Sequence, residues 1–218
     1  MRDDSTLQIS EIFYSIQGES SFAGYPCLFF RLSGCNLRCS YCDAKYTYEE
    51  PGSPTPLNTL LSEAARYPKA LIEITGGEPL LQAGVYPLME ALLAAGRTVL
   101  LETNGSLSIK QVPREVVKIL DLKCPDSGMA EKMDLANLAL LAPHDEIKFV
   151  VSSRGDYDWA KTMIADHRLA EKATLILSPV IGRIAPALLA QWLMADALPA
   201  RIQLQLHTLL WPGMQRGV

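Results

Sequence analysis

The chain has 218 residues and a mass of 24.0 kDa, enough for one domain that buries roughly 70% of its unfolded surface without disulfides. Hydrophobic residues are 49% and charged residues 20% of the chain, which excludes global disorder. Twenty Lys and Arg against 24 Asp and Glu leave a net charge of −4, so no basic nucleic-acid footprint is visible.

The start of the chain, Met1 to Thr6, is acidic and has no apolar h-region, which argues against a secretory leader. Leu7–Glu19 reads as a strand or loop at one edge of the fold. Short apolar runs then follow at Cys27–Leu32, Leu71–Thr75, Thr98–Thr103, Val117–Leu122, Glu146–Val151, Thr174–Ser178 and Arg201–His207. Helix-period stretches lie between most of them, at Asn58–Tyr67, Val85–Ala95, Met133–Leu141, Tyr157–Leu169 and Pro186–Leu198. Asn58 is a candidate N-cap and Gly96 a C-terminal stop. Near-continuous apolar strands alternating with helices predict a parallel sheet covered by helices. Six or seven such units suit a partial barrel, since a full eightfold barrel takes ~250 residues. The longest uncharged run, Ile202–Gln215, is 14 residues and contains glutamines, a histidine and a proline, too short and polar to span a bilayer. The expectation is one cytoplasmic domain over residues 1–218, with neither a membrane nor a nucleic acid as partner.

Several predicted strands end in polar residues: Thr75-Gly76-Gly77-Glu78-Pro79, Glu102-Thr103-Asn104-Gly105, Asp121-Leu122-Lys123-Cys124-Pro125 and Gln203-Leu204-Gln205-Leu206-His207. In parallel α/β folds ligands bind at the C-terminal strand edge. Any one of these residues could be a turn or a cap. Glu, Lys and Gln together inside apolar strands point instead to one shared concave site.

Five cysteines are present, and three fall within eight positions, as Cys35-x3-Cys39-x2-Cys42 directly after a predicted strand. Clustering of this kind in a reducing compartment indicates metal or redox chemistry. Three thiolates on one loop can hold three irons of a cubane and leave the fourth open to a ligand. Structural zinc takes four closed ligands; His144, His167 and His207 are distant in sequence, and Cys124 would have to join from another strand.

The cysteine spacing, with Gly76-Gly77-Glu78-Pro79 after the next strand, resembles the radical S-adenosylmethionine superfamily. The flanks narrow the resemblance. Phe13-Tyr14-Ser15-Ile16-Gln17-Gly18-Glu19, Gly24-Tyr25-Pro26, Phe30-Arg31, Gly34-Cys35-Asn36-Leu37, Lys148-Phe149-Val150, Ser178-Pro179-Val180 and the polar strand ends together resemble the 7-carboxy-7-deazaguanine synthase family, from about Leu7 to Pro212. The resemblance implies a single-domain modified partial barrel of the radical S-adenosylmethionine type, forming homodimers. It also implies a [4Fe–4S] cluster on Cys35, Cys39 and Cys42, with S-adenosylmethionine on its open iron. The activity implied is conversion of 6-carboxy-5,6,7,8-tetrahydropterin to 7-carboxy-7-deazaguanine with loss of ammonia. In that reaction a 5′-deoxyadenosyl radical abstracts hydrogen at C6; Mg²⁺ assists, and flavodoxin is an expected electron donor. The product belongs to queuosine and 7-deazapurine biosynthesis.

Carried over residue by residue, Tyr41, Asp43, Gly76, Gly77, Glu78, Glu102, Asn104 and Lys123 are expected at S-adenosylmethionine. Ile16, Gln17, Gly18, Arg31 and Thr75 are expected at the pterin, within a substrate-binding segment over residues 7–19 and the strands beside it. Gln17 offers both donor and acceptor to a pyrimidinone edge, and Arg31 offers a bidentate partner to a carboxylate. Pro212 matches a proline that closes the substrate pocket, and here a tail, residues 213–218, follows it. Ala44 departs from the family, which places Thr or Ser there for Mg²⁺. A methyl cannot ligate a hard cation, so either substrate oxygens and waters hold the ion, Asp43 or Thr47 is recruited, or Mg²⁺ dependence is weaker; the ligands are unassigned and weaker dependence is expected.

For the remaining candidates, Cys27 and Cys124 are expected in the core, His144 and His167 at the surface, and His207 as a satisfied core histidine. Lys123 and Lys148 are either site residues or partners of acids such as Asp121. The helix at Pro186–Leu198 is expected as core or dimer surface. Two rival readings remain at this level: a small radical activase acting on a partner protein, and a non-catalytic iron–sulfur or zinc protein.

Overall fold

The structure is a computed structural model and describes residues 6–218; the first five residues, on which part of the argument about a leader rests, lie outside the described residues. The chain opens with strand β1 (Thr6–Ile16), which turns back into β2 (Pro26–Leu32) as an antiparallel pair. A one-turn helix α1 (Tyr46–Glu49) and a short strand β3 (Ser53–Pro56) follow, and then α2 (Leu57–Arg66) and β4 (Leu71–Gly76). The alternation continues through α3 (Val85–Ala94), β5 (Val99–Thr103), β6 (Val117–Asp121) and β7 (Glu146–Val151). It ends with α4 (Arg154–Asp166), β8 (Thr174–Pro179), α5 (Pro186–Ala195), β9 (Arg201–Ile202) and α6 (Leu206–Leu210).

One nine-stranded sheet runs in the order β3-β1-β2-β4-β5-β6-β7-β8-β9 and is not closed on itself. From β2 to β9 every pairing is parallel, which gives the seven strands of the expected partial barrel. β1 is one place in from the edge, because β3 pairs outside it. Two prolines in Ser-Pro-Thr-Pro hid that strand in the sequence, and prolines are tolerated only at such an edge.

The outer sheet face and the helices share one continuous core, with Leu28, Phe30, Ile72, Leu88, Leu101, Phe149 and Tyr157 at its centre. On the inner face a small apolar floor of Leu100, Val117 and Ile119 is packed by Leu71 and by Phe22 from the loop after β1. That loop bridges the open side of the sheet. Ser21 N–H donates to Glu146 on β7 (2.8 Å), and Ser20 N–H donates to the Gln203 amide oxygen just past β9 (2.7 Å). Gly18 C=O accepts from Leu206 N–H (3.0 Å), so the first strand and the last helix meet beside the cavity.

Helix ends follow local chemistry. Gly96, at φ +72°, donates to Leu93 C=O while Arg97 N–H donates to Leu92 C=O, a left-handed stop after α3 as expected. α4 starts three residues earlier than its apolar periodicity indicates, because Ser153 Oγ accepts from Asp156 N–H and caps it. Three expectations are corrected. α2 begins after Pro56, so Asn58 lies inside the helix rather than capping it. Met133–Leu141 is not α-helical but holds a 3₁₀ turn, Leu135–Ala139, pinned by the buried Asn137 amide, which donates to Gly105 and Leu107 carbonyls and accepts from Ile109 N–H. Arg201–His207 is a strand only at its first two residues, because the Gln203 side chain turns away to clamp Ser20 from both sides.

Candidate active site

Parallel pairing places residues in register on one sheet face, so the inner face can be read from the ladder. Phe29, Glu73 and Leu100 share one row, with Arg31, Thr75 and Glu102 one step above them, and Asp121 faces Lys148 on the next pair. Polar side chains therefore converge above the apolar floor. They line a cavity of about 810 Å³ at the C-terminal strand edge, within the range of small-molecule sites.

Cys35, Cys39 and Cys42 all border this cavity and are unbridged thiols. Their loop is fastened to β4 through backbone groups: Gly77 N–H donates to Leu32 C=O (3.1 Å) and Glu78 N–H to Gly34 C=O (2.8 Å). Gly76 and Gly77 are glycines because the strand ends nearly touch. A Cβ at Gly76 would lie 2.9 Å from the Leu32 carbonyl carbon, and Gly76 has φ +144°. Glu78 is buried beneath the loop and does not line the cavity; its carboxylate accepts from Leu80 N–H, Thr103 Oγ1 and Asn104 N–H. Its role is therefore to tie β4 to the end of β5. The Asn104 side-chain amide, which donates to Asn36 Oδ1 (3.1 Å), lies 3.9 Å from Cys35 Sγ, and Leu37 N–H points at the same sulfur (3.4 Å). Hydrogen bonds to sulfur of this kind tune a cluster.

Burial pushes the Cys39 thiol up to about 11, partly offset by Lys123 and reinforced by Asp121, Cys42 and Cys35; burial also raises Cys42. Thiols of this kind are not spontaneous thiolates, and a cationic iron centre is what would deprotonate them. Among the described residues no group of three or more His, Cys, Asp or Glu is placed to hold a single metal ion. Three soft thiols spread along one loop suit the larger body of an iron–sulfur cluster.

The rest of the site is a charge network. Lys148 is 5% exposed and bonds Glu102 and Glu19 (2.9 Å), with Asp121 at 3.7 Å. Lys123 pairs with Asp121 at 2.6 Å, so the two sequence readings of Lys123 are both realised, a cavity residue with an acid partner. Asp121 Oδ1 and Ser178 Oγ are buried at the cavity wall with no partner among the described residues, a sign of a polar ligand beside the thiols. Burial alone would raise Glu102, but the charge and hydrogen bond of Lys148, with Lys123 and Thr75, hold it well below the usual carboxylate range. Glu73 moves the other way. Burial first, then Glu102, push it up to about 8 against the hydrogen bond from Gln17.

Of the residues expected at a substrate, Ile16, Gln17, Gly18, Arg31 and Thr75 line the cavity. Gln17 Oε1 accepts from Glu19 N–H (3.0 Å) and Nε2 donates to Glu73. Arg31 Nε is 3.2 Å from Glu11, close enough for an ion pair though not aligned as a hydrogen bond. Thr75 Oγ1 donates to Glu102 (3.0 Å). Tyr41 and Asp43 border the cavity, with the Tyr41 hydroxyl donating to Val150 C=O (3.1 Å).

Two expectations change. Pro212 is exposed and off the cavity wall; after Pro212 the chain turns at Gly213 (φ +82°), and Met214, Gln215, Arg216 and Val218 line the cavity instead. His207 is half-buried at the wall rather than in the core, packed so closely on Gly18 that a Cβ there would lie 2.5 Å from Nδ1. Cys27 and Cys124 are fully buried as expected; His144 is exposed and His167 half-buried. In α5, Leu189 is core while Leu188 and Met194 are exposed. The sequence reading included Glu19 only through the substrate-binding segment over residues 7–19, with no role of its own, and did not include Glu73. A lone acid within Leu71-Ile72-Glu73-Ile74 was the available signal for Glu73.

Comparison with known proteins fits this geometry. The model of the radical S-adenosylmethionine superfamily matches residues 31–172, more than half of the chain. Such an enzyme carries a [4Fe–4S] cluster and S-adenosylmethionine, and the three thiols with the adjoining polar wall fit both. A 7-carboxy-7-deazaguanine synthase from Chlorobaculum tepidum is 48% identical over 221 residues, covering all of both chains. A second, from Koribacter versatilis, is 43% identical and covers 97% of this chain and 100% of that relative. The chain belongs to the 7-carboxy-7-deazaguanine synthase family. QueE from Escherichia coli shares the fold, with a TM-score of 0.76 at 23% identity over 92% of this chain and 94% of that one. SuiB from Streptococcus suis bound to S-adenosylmethionine shares it more distantly, with a TM-score of 0.56 at 15% identity over 83% of this chain and 50% of that one. No helix among the described residues is long and apolar enough to cross a membrane.

Proposed function

We propose that this enzyme converts 6-carboxy-5,6,7,8-tetrahydropterin to 7-carboxy-7-deazaguanine with loss of ammonia, in the formation of queuosine or another 7-deazapurine. The carrying observation is the union of the three-thiol loop with Gln17, Arg31 and Thr75 around one cavity, in a chain that aligns end to end with synthases of that name. When bound, the cluster and S-adenosylmethionine supply a hydrogen-abstracting radical at C6. The chain's own residues bind and orient. The Arg31 guanidinium takes the substrate carboxylate. Gln17, whose amide direction is set by Glu19 N–H, reads the ring edge. Lys148 and Lys123 face three acids, Glu19, Glu102 and Asp121, so this wall keeps a small negative excess that suits a cofactor bearing a sulfonium cation.

Magnesium fits this chain poorly. Ala44 lines the cavity without a ligating oxygen on its side chain, and Thr47 at the same wall is 1% exposed, with its hydroxyl donating to Ala44 C=O (2.7 Å). We therefore assign weak Mg²⁺ dependence. A homodimer and a flavodoxin-type electron donor belong to the same reading; exposed Leu188, Met194, Leu209 and Leu210 offer apolar surface to a second copy. Five unbridged cysteines accord with a reducing, cytoplasmic setting.

The test is anaerobic reconstitution with iron and sulfide, followed by S-adenosylmethionine, the carboxytetrahydropterin and a reductant. The product, read by mass and ultraviolet absorbance, is expected with the wild type and absent with Cys39→Ala. If 5′-deoxyadenosine forms without that product, the substrate assignment is wrong.

A further inference from the structure

Glu73 is 5% exposed, stands in an otherwise apolar strand, and borders the cavity floor beside Phe29 and Leu100. None of the motifs named above covers it. One of its oxygens is committed: Oε2 accepts from Gln17 Nε2. The orientation of the Gln17 amide is not free, since its oxygen already takes Glu19 N–H at 3.0 Å. The other oxygen of Glu73 has no hydrogen-bond partner among the described residues. It is also absent from the buried atoms left without one, so it reaches open space in the cavity.

We propose that Glu73 is a substrate-binding, specificity-determining residue, whose Oε2 fixes the Gln17 amide and whose Oε1 presents an O–H donor to an acceptor atom of the heterocycle. The inference rests on the pterin reading above and assigns one more contact to it. The logic is that of a neutral carboxylic acid. Its carbonyl oxygen accepts and its hydroxyl donates; with Oε2 accepting from Gln17, the proton resides on Oε1.

The surroundings favour that neutral form. Glu73 is faced by Glu102 on β5, Lys148 on β7, Cys27 on β2, and Gln17 and Glu19 from the loop after β1. Lys148 is already shared between Glu19 and Glu102. Burial and the neighbouring carboxylate therefore leave Glu73 protonated below about 8. The sign follows: the donor is present at neutral pH and is lost as pH rises through that value. A ligand with a carbonyl oxygen or imine-type ring nitrogen at this point is selected, and one with an N–H there is refused.

The experiment compares wild-type holoenzyme with Glu73→Leu, Glu73→Asp and Glu73→Gln in steady-state assays of 6-carboxytetrahydropterin and of S-adenosylmethionine at pH 7 and pH 9. Glu73→Leu is expected to raise KM for the pterin about tenfold, the equivalent of one good hydrogen bond, with KM for S-adenosylmethionine and kcat changed by less than about threefold. Glu73→Asp, which withdraws the carboxyl from Gln17, carries the same expectation should the leucine variant not fold. Glu73→Gln has the donor and acceptor pattern of a protonated Glu. It is expected to recover at least half of the loss on a logarithmic scale and to abolish the rise in KM between pH 7 and pH 9 that the proposal requires of the wild type. An unchanged pterin KM in the Leu or Asp variant overturns the proposal. So does a parallel rise in both KM values, or a Gln variant no better than Leu. Wild-type enzyme that makes no product overturns the pterin reading itself, and the assignment of Glu73 falls with it.

Discussion

Gly77 stands so close to Gly34 that a Cβ on it would lie 2.6 Å from the Gly34 carbonyl carbon and 2.8 Å from Cys35 Cβ. The second glycine of the Gly76-Gly77 pair is thus a steric requirement of the three-thiol loop. Neither atom in the way is the end of a flexible side chain, so the loop itself must move. Gly77→Ala is expected to fold, because the outer core is untouched, and yet to hold less than about half the wild-type iron after reconstitution, for a displacement of even 1 Å spoils a ligand set. Iron and sulfide analysis together with far-ultraviolet circular dichroism checks both halves.

Among the described residues, Lys148 is the one cation bonded to both Glu19 and Glu102. Lys148→Met leaves those acids facing each other and Asp121. Removing one member of a buried pair costs roughly 3–5 kcal/mol, and the 27% exposure of Glu102 places this case at the low end. The pH dependence has a definite sign. Glu102 is held down in the folded state, so its stabilisation is complete above the ordinary glutamate range and fades as pH falls below it. The stability gap between wild type and variant, measured by urea unfolding, should be widest at neutral pH and narrow below pH ~4.5. An equal gap at pH 7 and pH 3.5 would show that packing, not charge, is what Lys148 contributes.

Ala44 leaves magnesium without the family's hydroxyl. Turnover of the wild type with chelator is expected within about threefold of turnover at saturating Mg²⁺, a difference below about 0.7 kcal/mol. Ala44→Thr is expected to widen that ratio. Complete loss of wild-type activity in chelator contradicts the assignment.

The tail over the cavity is held unequally. Arg216 pairs with Glu50 and stacks over Tyr46 at 4.3 Å, but both ionic partners are about half exposed, and such pairs contribute ~0–1 kcal/mol. Gly217 N–H reaches the more buried Glu11 at 2.9 Å, the same acid that meets Arg31. Arg216→Ala should therefore raise KM for the pterin by less than about threefold. Ending the chain at Pro212 should raise it several times more, leaving KM for S-adenosylmethionine unaffected. Equal KM values in full-length and shortened enzyme would show that the tail does not close the site.

The sequence was most legible where chemistry and local periodicity coincide. The runs Leu71–Thr75 and Glu146–Val151 became β4 and β7 within a residue or two, since strands buried on both faces read as near-continuous apolar runs, broken here by Glu73, Thr75, Glu146 and Lys148. Cys35, Cys39, Cys42 and the two glycines were legible because their spacing is local. Asn58 and the segment Met133–Leu141 misled for the opposite reason: Pro56 and the buried Asn137 amide act through neighbours that periodicity does not weigh.

By itself the sequence determined the alternating α/β plan, the thiol loop and the family, because each is written in residues close together along the chain. Only the tertiary structure decided which side chains meet. Register between parallel strands set Glu73, Glu102 and Lys148 on one inner face. The bridging loop brought Gln17 to Glu73 across 56 residues and Glu19 to Lys148 across 129. The turn after Pro212 sent the tail, and not that proline, to the cavity mouth. Contacts of that kind depend on how the whole sheet curls and closes, and no local pattern carries that information.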